Sequence, residues 1–281
     1  STPPVAGSQY QILQTLYAAT NGANWTNSTG WLGTEGSECD WYGVDCDGES
    51  NVTHLRLDQN NLVGSIPSEL GGLNSLQQIF MGANQLSGTV PDSLAQLQNL
   101  TGIWLYNNQL NGPLPSSFGG MTQLTTLALS GNRFSGQIPE SYGNLVNLQD
   151  LSLSYNQLSG SIPASLGNLV VAERIDLREN QLSGAVPAAV LALGLDIVDL
   201  WANPGLTGIA LGNPAACEIQ TPLLLNTPVA GELTPFEDCY FDDDEGPLMA
   251  DFYRLDLSAE SDTTLIRIDA NSEAYFPHVG V

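Results

Sequence analysis

The chain is 281 residues long and 42% hydrophobic, and its 30 acidic residues against six basic ones give a net charge of −24 at neutral pH. All six bases are arginine, so the clustered Lys and Arg that phosphate binding demands are missing, which argues against a nucleic acid or an anionic membrane as partner. No apolar run approaches the roughly 18 residues of a membrane span; the longest candidate is AAVLALGL from Ala188.

The acidic balance reads as solubility in a salty or acidic extracellular setting, or as diffuse cation binding. STPPVAG at the start shows no signal peptide and reads as the beginning of a processed chain. SQYQILQTLYAATNG then predicts a helix. Ser8 and Gln11 fit a capping box, Ile12, Leu13, Leu16 and Tyr17 make an apolar stripe, and Asn21-Gly22 supplies the stop.

NWTNSTGWLGTEGSECDWYGVDCDG follows, with Trp25, Trp31 and Trp41 around Cys39 and Cys46. The four cysteines form two sequence-local pairs, Cys39 with Cys46 and Cys217 with Cys239, with no CxxC and only two histidines in the chain. Two disulfides are therefore favoured over zinc, one at each end of a cysteine-free middle. Asn-x-Ser/Thr sequons at Asn24, Asn27, Asn51 and Asn99 join the paired cysteines in pointing to a secreted or cell-surface glycoprotein.

Internal repetition governs the centre. Asn60, Asn84, Asn108, Asn132, Asn156, Asn180 and Asn203 recur at a spacing of 24 five times and then 23, each inside a phrase such as LQDLSLSYNQLSGSIPASLGNL. In LxLxxN the two apolar residues face inward from a short strand, and successive copies stack as a parallel sheet. The Asn at each strand exit suits turn backbone groups that nothing else would satisfy. Gly64, Gly88, Gly112, Gly136, Gly160 and Gly184 suit a bend, and the prolines three residues further on (Pro67 to Pro187) stiffen the return.

NxLxGxIPxxLGxL resembles the plant-type leucine-rich repeat. The resemblance covers roughly residues 52–208 and implies an α/β solenoid. This is a right-handed superhelix of about seven repeats of 23–24 residues, with a parallel concave sheet and capped ends. Residues 1–51 read as an N-terminal helical cap, and NWTNSTGWLGTEGSECDWYGVDCDG within them resembles that of plant receptor-like kinase ectodomains and polygalacturonase inhibitors through the pattern W…WL…C.W.GV.C. The three tryptophans read as cap core, with a ligand platform as the alternative.

After NPGLTG the period stops. Residues 209–240, with Cys217 and Cys239, read as a C-terminal cap, and residues 241–281 as a β-rich segment with strands in DFYRLDLSAE from Asp251 and TTLIRIDANS from Thr263. The stretch from GELTPFEDC to SEAYFP resembles the first half of a pre-peptidase C-terminal β-sandwich, so an incomplete sandwich and a chain continuing past Val281 are both open. Asp242–Glu245 reads as a solvated acidic loop, with a calcium site as the alternative.

The strand register sorts the outward residues of the sheet into three columns. The first is His54, Gln78, Gly102, Thr126, Asp150, Arg174 and Ile197; the second is Arg56, Phe80, Trp104, Ala128, Ser152, Asp176 and Asp199. The third is Asp58, Gly82, Tyr106, Ser130, Ser154, Arg178 and Trp201. Three zones follow. Arg56, Phe80, Trp104 and Tyr106 make an aromatic zone with Gly82 and Gly102 leaving space alongside, and Arg56 is placed for a cation–π contact with Phe80. The middle is small and flat, and Arg174, Arg178 and Trp201 stand among Asp150, Asp176 and Asp199. The last zone reads as a self-neutralising network rather than a metal or catalytic site.

No catalytic triad, phosphate loop or histidine cluster is present, and neither enzyme activity nor a cofactor is expected. The candidate ligand-binding residues are Arg56, Phe80, Trp104, Tyr106, Arg174, Arg178 and Trp201. The expected function is a secreted or cell-surface recognition module for a protein, peptide or polysaccharide on the concave face. Alternatives are a self-assembling subunit of an extracellular layer, wall or filament, and, through resemblance to plant leucine-rich-repeat antifreeze proteins, ice binding.

Overall fold

The computed structural model describes residues 7–194 and 197–207, and the strands Tyr240–Asp243, Gly246–Asp256 and Thr263–Asp269. The chain divides into two compact units, Ser1–Gly208 and Ile209–Val281. In the first, a helix Gln9–Ala19 opens on the capping box: Gln11 N–H donates to Ser8 Oγ, and Ser8 N–H donates to Gln11 Oε1. It ends at Thr20, and Asn21 turns the chain with a left-handed φ of 58°.

Trp25, Trp31 and Trp41 are buried against one another and against Tyr10 and Tyr17, with centroids 4.7 to 5.9 Å apart. Each indole N–H finds an acceptor inside the cap: Thr20 O, Tyr42 O and Ser37 Oγ respectively. Satisfied donors and buried rings make these tryptophans cap core. The Cys39–Cys46 disulfide closes the adjacent loop, with Cα atoms 5.6 Å apart.

Seven repeats then build an eight-stranded sheet: Val44–Cys46, Val52–Arg56, Gln78–Phe80, Gly102–Trp104, Thr126–Ala128, Asp150–Ser152, Arg174–Asp176 and Val198–Asp199. All neighbours are parallel except the first pair, where Val44–Cys46 runs antiparallel to Val52–Arg56. The cap thereby supplies a covering strand for an edge that would otherwise present unpaired backbone. Inward residues such as Ile103, Leu105, Leu127, Leu129, Leu151 and Leu153 are fully buried. Short 3₁₀ turns, from Ser68–Gly72 to Ala164–Asn168, complete five coils on the far side, and the short helix Ala188–Leu191 completes the next.

The asparagine ladder works as the residue type requires. Asn132 Nδ2 donates to the carbonyls of Leu105 and Leu129 at 2.9 and 3.1 Å, and its Oδ1 accepts from Leu110 N–H at 3.0 Å. One side chain thus ties two coils together with buried backbone groups. The residue before each ladder Asn (Gln59, Ala83, Asn107, Gly131, Tyr155, Glu179 and Ala202) has φ between 50° and 64°. The chemistry that stabilises this strained turn lies in the following Asn, not in a run of glycines. Gly112 does require its freedom, with φ of 83° where the return segment bends.

A second, seven-stranded parallel sheet runs through Val63–Gly64, Gln85–Gly88, Gln109–Gly112, Arg133–Gly136, Gln157–Gly160, Gln181–Ala185 and Gly205–Thr207. QLSG has no apolar alternation to announce a strand; stacking of one coil on the next supplies its hydrogen bonds.

In the second unit the three strands pair antiparallel, Tyr240 opposite Met249 and Asp256 opposite Thr263. Two differences from expectation appear. The middle strand begins at Gly246, and Asp242 and Asp243 lie on a strand rather than in a loop, because Tyr240–Asp243 pairs back onto it residue for residue. Asp244, Glu245, Cys217 and Cys239 lie outside the described residues.

Candidate ligand-binding face

The parallel ladder pairs Arg56 with Phe80, Phe80 with Trp104, Trp104 with Ala128, Ala128 with Ser152, and Ser152 with Asp176. The middle outward column is therefore continuous across the coils. At its start the Phe80 and Trp104 rings stack with centroids 4.3 Å apart and planes 11° from parallel. The Arg56 guanidinium lies 4.8 Å from the Phe80 centroid on the same row. Arg56 is also held by Asp45 at 2.7 Å, a partner from the covering strand that the repeat pattern gives no means of finding.

Gly82 and Gly102 do not leave open space. A Cβ at Gly102 would run into the Trp104 ring, and one at Gly82 into the Tyr106 ring. Gly102 makes room for the ring of Trp104, two residues later on its own strand, and Gly82 for the ring of Tyr106 on the next coil, and both aromatics are half-buried. Asp58 accepts a 2.8 Å hydrogen bond from Gly82 N–H beside them, and its burial pushes its carboxyl above the ordinary range.

The middle zone is recessed. Ala128 and Ser152 point outward yet are only 7% exposed, and Ser154 is 2% exposed. Taller neighbours stand on both sides. Beyond them Asp176, 1% exposed, receives Arg174 Nη2 at 3.0 Å and the Arg178 backbone N–H at 3.2 Å. Arg178 Nε lies 3.3 Å from Asp176 Oδ2, an ion-pair distance outside hydrogen-bonding geometry. Its Nη1 lies 3.7 Å from Asp199, and its guanidinium stands 5.6 Å from the Tyr155 ring. Arg178 is thus buried at 8% exposure and committed to internal partners, whereas Arg174 is exposed and Trp201 half-exposed. Burial raises the Asp176 carboxyl against the pull of Arg178. Asp150 is raised too, chiefly by burial, with Arg174 pulling it down.

The structure therefore brings Arg56, Phe80, Trp104 and Tyr106 together at one end of the sheet and Arg174, Arg178 and Trp201 at the other. About three strand spacings of ~4.8 Å separate Trp104 from Asp176. Tyr155 is the residue that sequence reasoning missed, since it occupies a turn position outside the columns. Of the sequons, Asn24 and Asn99 are exposed, and Asn27 and Asn51 are half-buried. Among the described residues, no group of three or more His, Cys, Asp or Glu is arranged to hold a metal, and no helix is long and apolar enough to cross a membrane.

Stacked parallel coils, the buried asparagine ladder and an outward face of variable side chains define a leucine-rich repeat solenoid. The Leucine Rich Repeat family model matches residues 51–73, 99–121, 123–145 and 147–169, and the chain carries the repeats of that family. A probable LRR receptor-like serine/threonine-protein kinase of Arabidopsis thaliana is 43% identical over 49 residues, 17% of this chain and 6% of that protein. The Arabidopsis receptor kinase HAESA, solved in complex with the peptide hormone IDA and the co-receptor SERK1, superposes with a TM-score of 0.62 at 32% identity. That match covers 70% of this chain and 34% of the chain it superposes on. A plant ice-binding protein superposes with a TM-score of 0.58 at 32% identity, covering 65% of this chain and 59% of that one. This chain thus spans a small part of the receptor kinases it resembles.

Proposed function

We propose that the protein is an extracellular recognition module that binds a peptide or protein across the outward face of the eight-stranded sheet. The observation that carries this reading is the stacked column Arg56–Phe80–Trp104 beside a recessed floor at Ala128 and Ser152. Stiff aromatic surface next to a recess is what a binding hot spot needs. HAESA, with the same fold, is seen with a peptide hormone. The disulfide and the exposed sequons at Asn24 and Asn99 support an oxidising, glycosylating compartment. The test is capture from the extracellular fraction of the source organism with the wild-type chain and with Trp104→Ala. A partner retained by the first and lost by the second is expected; a partner held equally by both would place binding elsewhere.

A second reading, ice binding, is favoured by the likeness to the plant ice-binding protein and by one feature of the second sheet. There Ser87 pairs with Gln109, Ser135 with Gln157 and Ser159 with Gln181, forming uncharged polar rows. Arg133, paired with Asn111, interrupts them. Thermal hysteresis in a solution of the protein would support this reading, and its absence would remove it.

A further inference from the structure

Trp104 is covered on one side only within its column. Phe80 fills one ring face, while the next member, Ala128, is too short to reach the other. One strand beyond Ala128, in the adjacent outward column, stands Asp150, which pairs with Thr126 across the ladder. The Oδ1 atom of Asp150 is buried and has no hydrogen-bond partner among the described residues. Its strand neighbour Arg174 is turned to Asp176 instead, and none of the ion pairs among the described residues includes Asp150. A carboxylate oxygen withdrawn from water without a donor is costly.

The spacing of the sheet places a site between these two groups. Gly102, Thr126 and Asp150 lie on one row of the ladder and the Trp104 ring leans over Gly102, so a charge held above Thr126 stands about one strand spacing, ~4.8 Å, from that ring on one side and from Asp150 on the other. That is within reach of a cation–π contact, about 6 Å from the ring centroid. The recess at Ala128 and Ser152 leaves the space for it.

We propose that Thr126–Ala128 floors a subsite for a cationic side chain, an arginine above all, of a bound polypeptide, its charge stacked on the open face of Trp104 and paired with the Asp150 carboxylate. This rests on the reading of the sheet face as a polypeptide-binding surface. The guanidinium extends the row Arg56–Phe80–Trp104 into an alternation of cation, two rings and cation. Its planar fork gives the Asp150 carboxylate the donors it lacks, which a lysine ammonium does with less stacking. The chain itself has no lysine and a net charge of −24, so long-range attraction favours a basic ligand. Burial that raises the Asp150 carboxyl is relieved by the same cation.

The test uses the full ¹⁵N-labelled chain and two capped tripeptides, acetyl-glycyl-arginyl-glycine amide and its citrulline counterpart, which has the same shape without the charge. The arginine peptide is expected to move the Trp104 indole resonance and the amides of Thr126 and Ala128, and the citrulline peptide to leave them in place. Asp150→Asn, isosteric and outside every ion pair among the described residues, is expected to weaken the arginine peptide about tenfold. Glu69→Gln, an exposed acid on the far side of the coils, should not. Equal shifts with both peptides, or full affinity in Asp150→Asn, overturn the subsite while leaving the sheet face a peptide-binding surface. No shift with either peptide also overturns the subsite; the wider reading is then decided separately by the capture experiment.

Discussion

The Trp104 indole leans edge-on over Gly102, where a Cβ would meet its Cζ3 and Cη2, and with that space free it stacks face to face on Phe80 at 4.3 Å. The φ of Gly102 is not in the left-handed region, so alanine suits its backbone and the sole conflict is with the ring. Gly102→Ala is expected to cost about 0.5–1.5 kcal/mol of stability, the contribution of the stacked pair it disrupts. The Phe80–Trp104 nuclear Overhauser contacts should disappear and partner affinity should fall. Retention of those contacts would show that the glycine does not set the ring's position.

Trp104→Ala separates binding from folding. The stacked pair contributes about 0.5–1.5 kcal/mol beyond its buried area, so a stability loss of that order is expected in denaturant titration. The loss of binding should reach the hot-spot range, about 2 kcal/mol or more. Leu105→Ala, one residue on and fully buried, should show the reverse balance, costing about 2–5 kcal/mol of folding free energy through a cavity.

Arg178→Met removes the main counter-charge of Asp176, which is 1% exposed. Breaking a buried pair on one side costs about 3–5 kcal/mol, and urea unfolding at neutral pH should show it. The Asp176 carboxyl is already raised by burial, and losing Arg178 raises it further. The folded variant then binds the proton more tightly than the unfolded chain. Its stability should therefore rise as pH falls through the raised folded value towards the ordinary carboxylate value of 3.8. A deficit that stays constant over that window would show that Arg178 stabilises through packing on Tyr155 rather than through charge.

Asn132→Ala leaves the N–H of Leu110 without its partner in the core and takes one of two side-chain donors from each of the carbonyls of Leu105 and Leu129, which keep Asn108 and Asn156 respectively. At about 1–3 kcal/mol for the unsatisfied group, the loss should exceed that of Trp104→Ala. Hydrogen exchange should speed up first in the two coils that Asn132 joins. Asn132→Asp keeps the acceptor and loses the donors, so Leu110 N–H should stay protected while the overall stability falls.

The 24-residue period, read from sequence alone, determined the solenoid, the inward leucines, the asparagine ladder and the three outward columns. Each of these repeats in register, and a side chain's face on a strand is set by the parity of its position. The capping box at Ser8 and Gln11 was equally legible because it is local. Tertiary structure alone decided what no period encodes. Asp45 reaches Arg56 because a cap strand folds back antiparallel, and Tyr155 meets Arg178 from a turn one coil away. QLSG becomes a strand only when neighbouring coils supply its hydrogen bonds. The columns place Trp104 and Gly102 on the same face, but the choice of rotamer belongs to packing. Phe80 offers a ring to stack on and Gly102 offers room, and together they turn an outward residue into a half-buried platform.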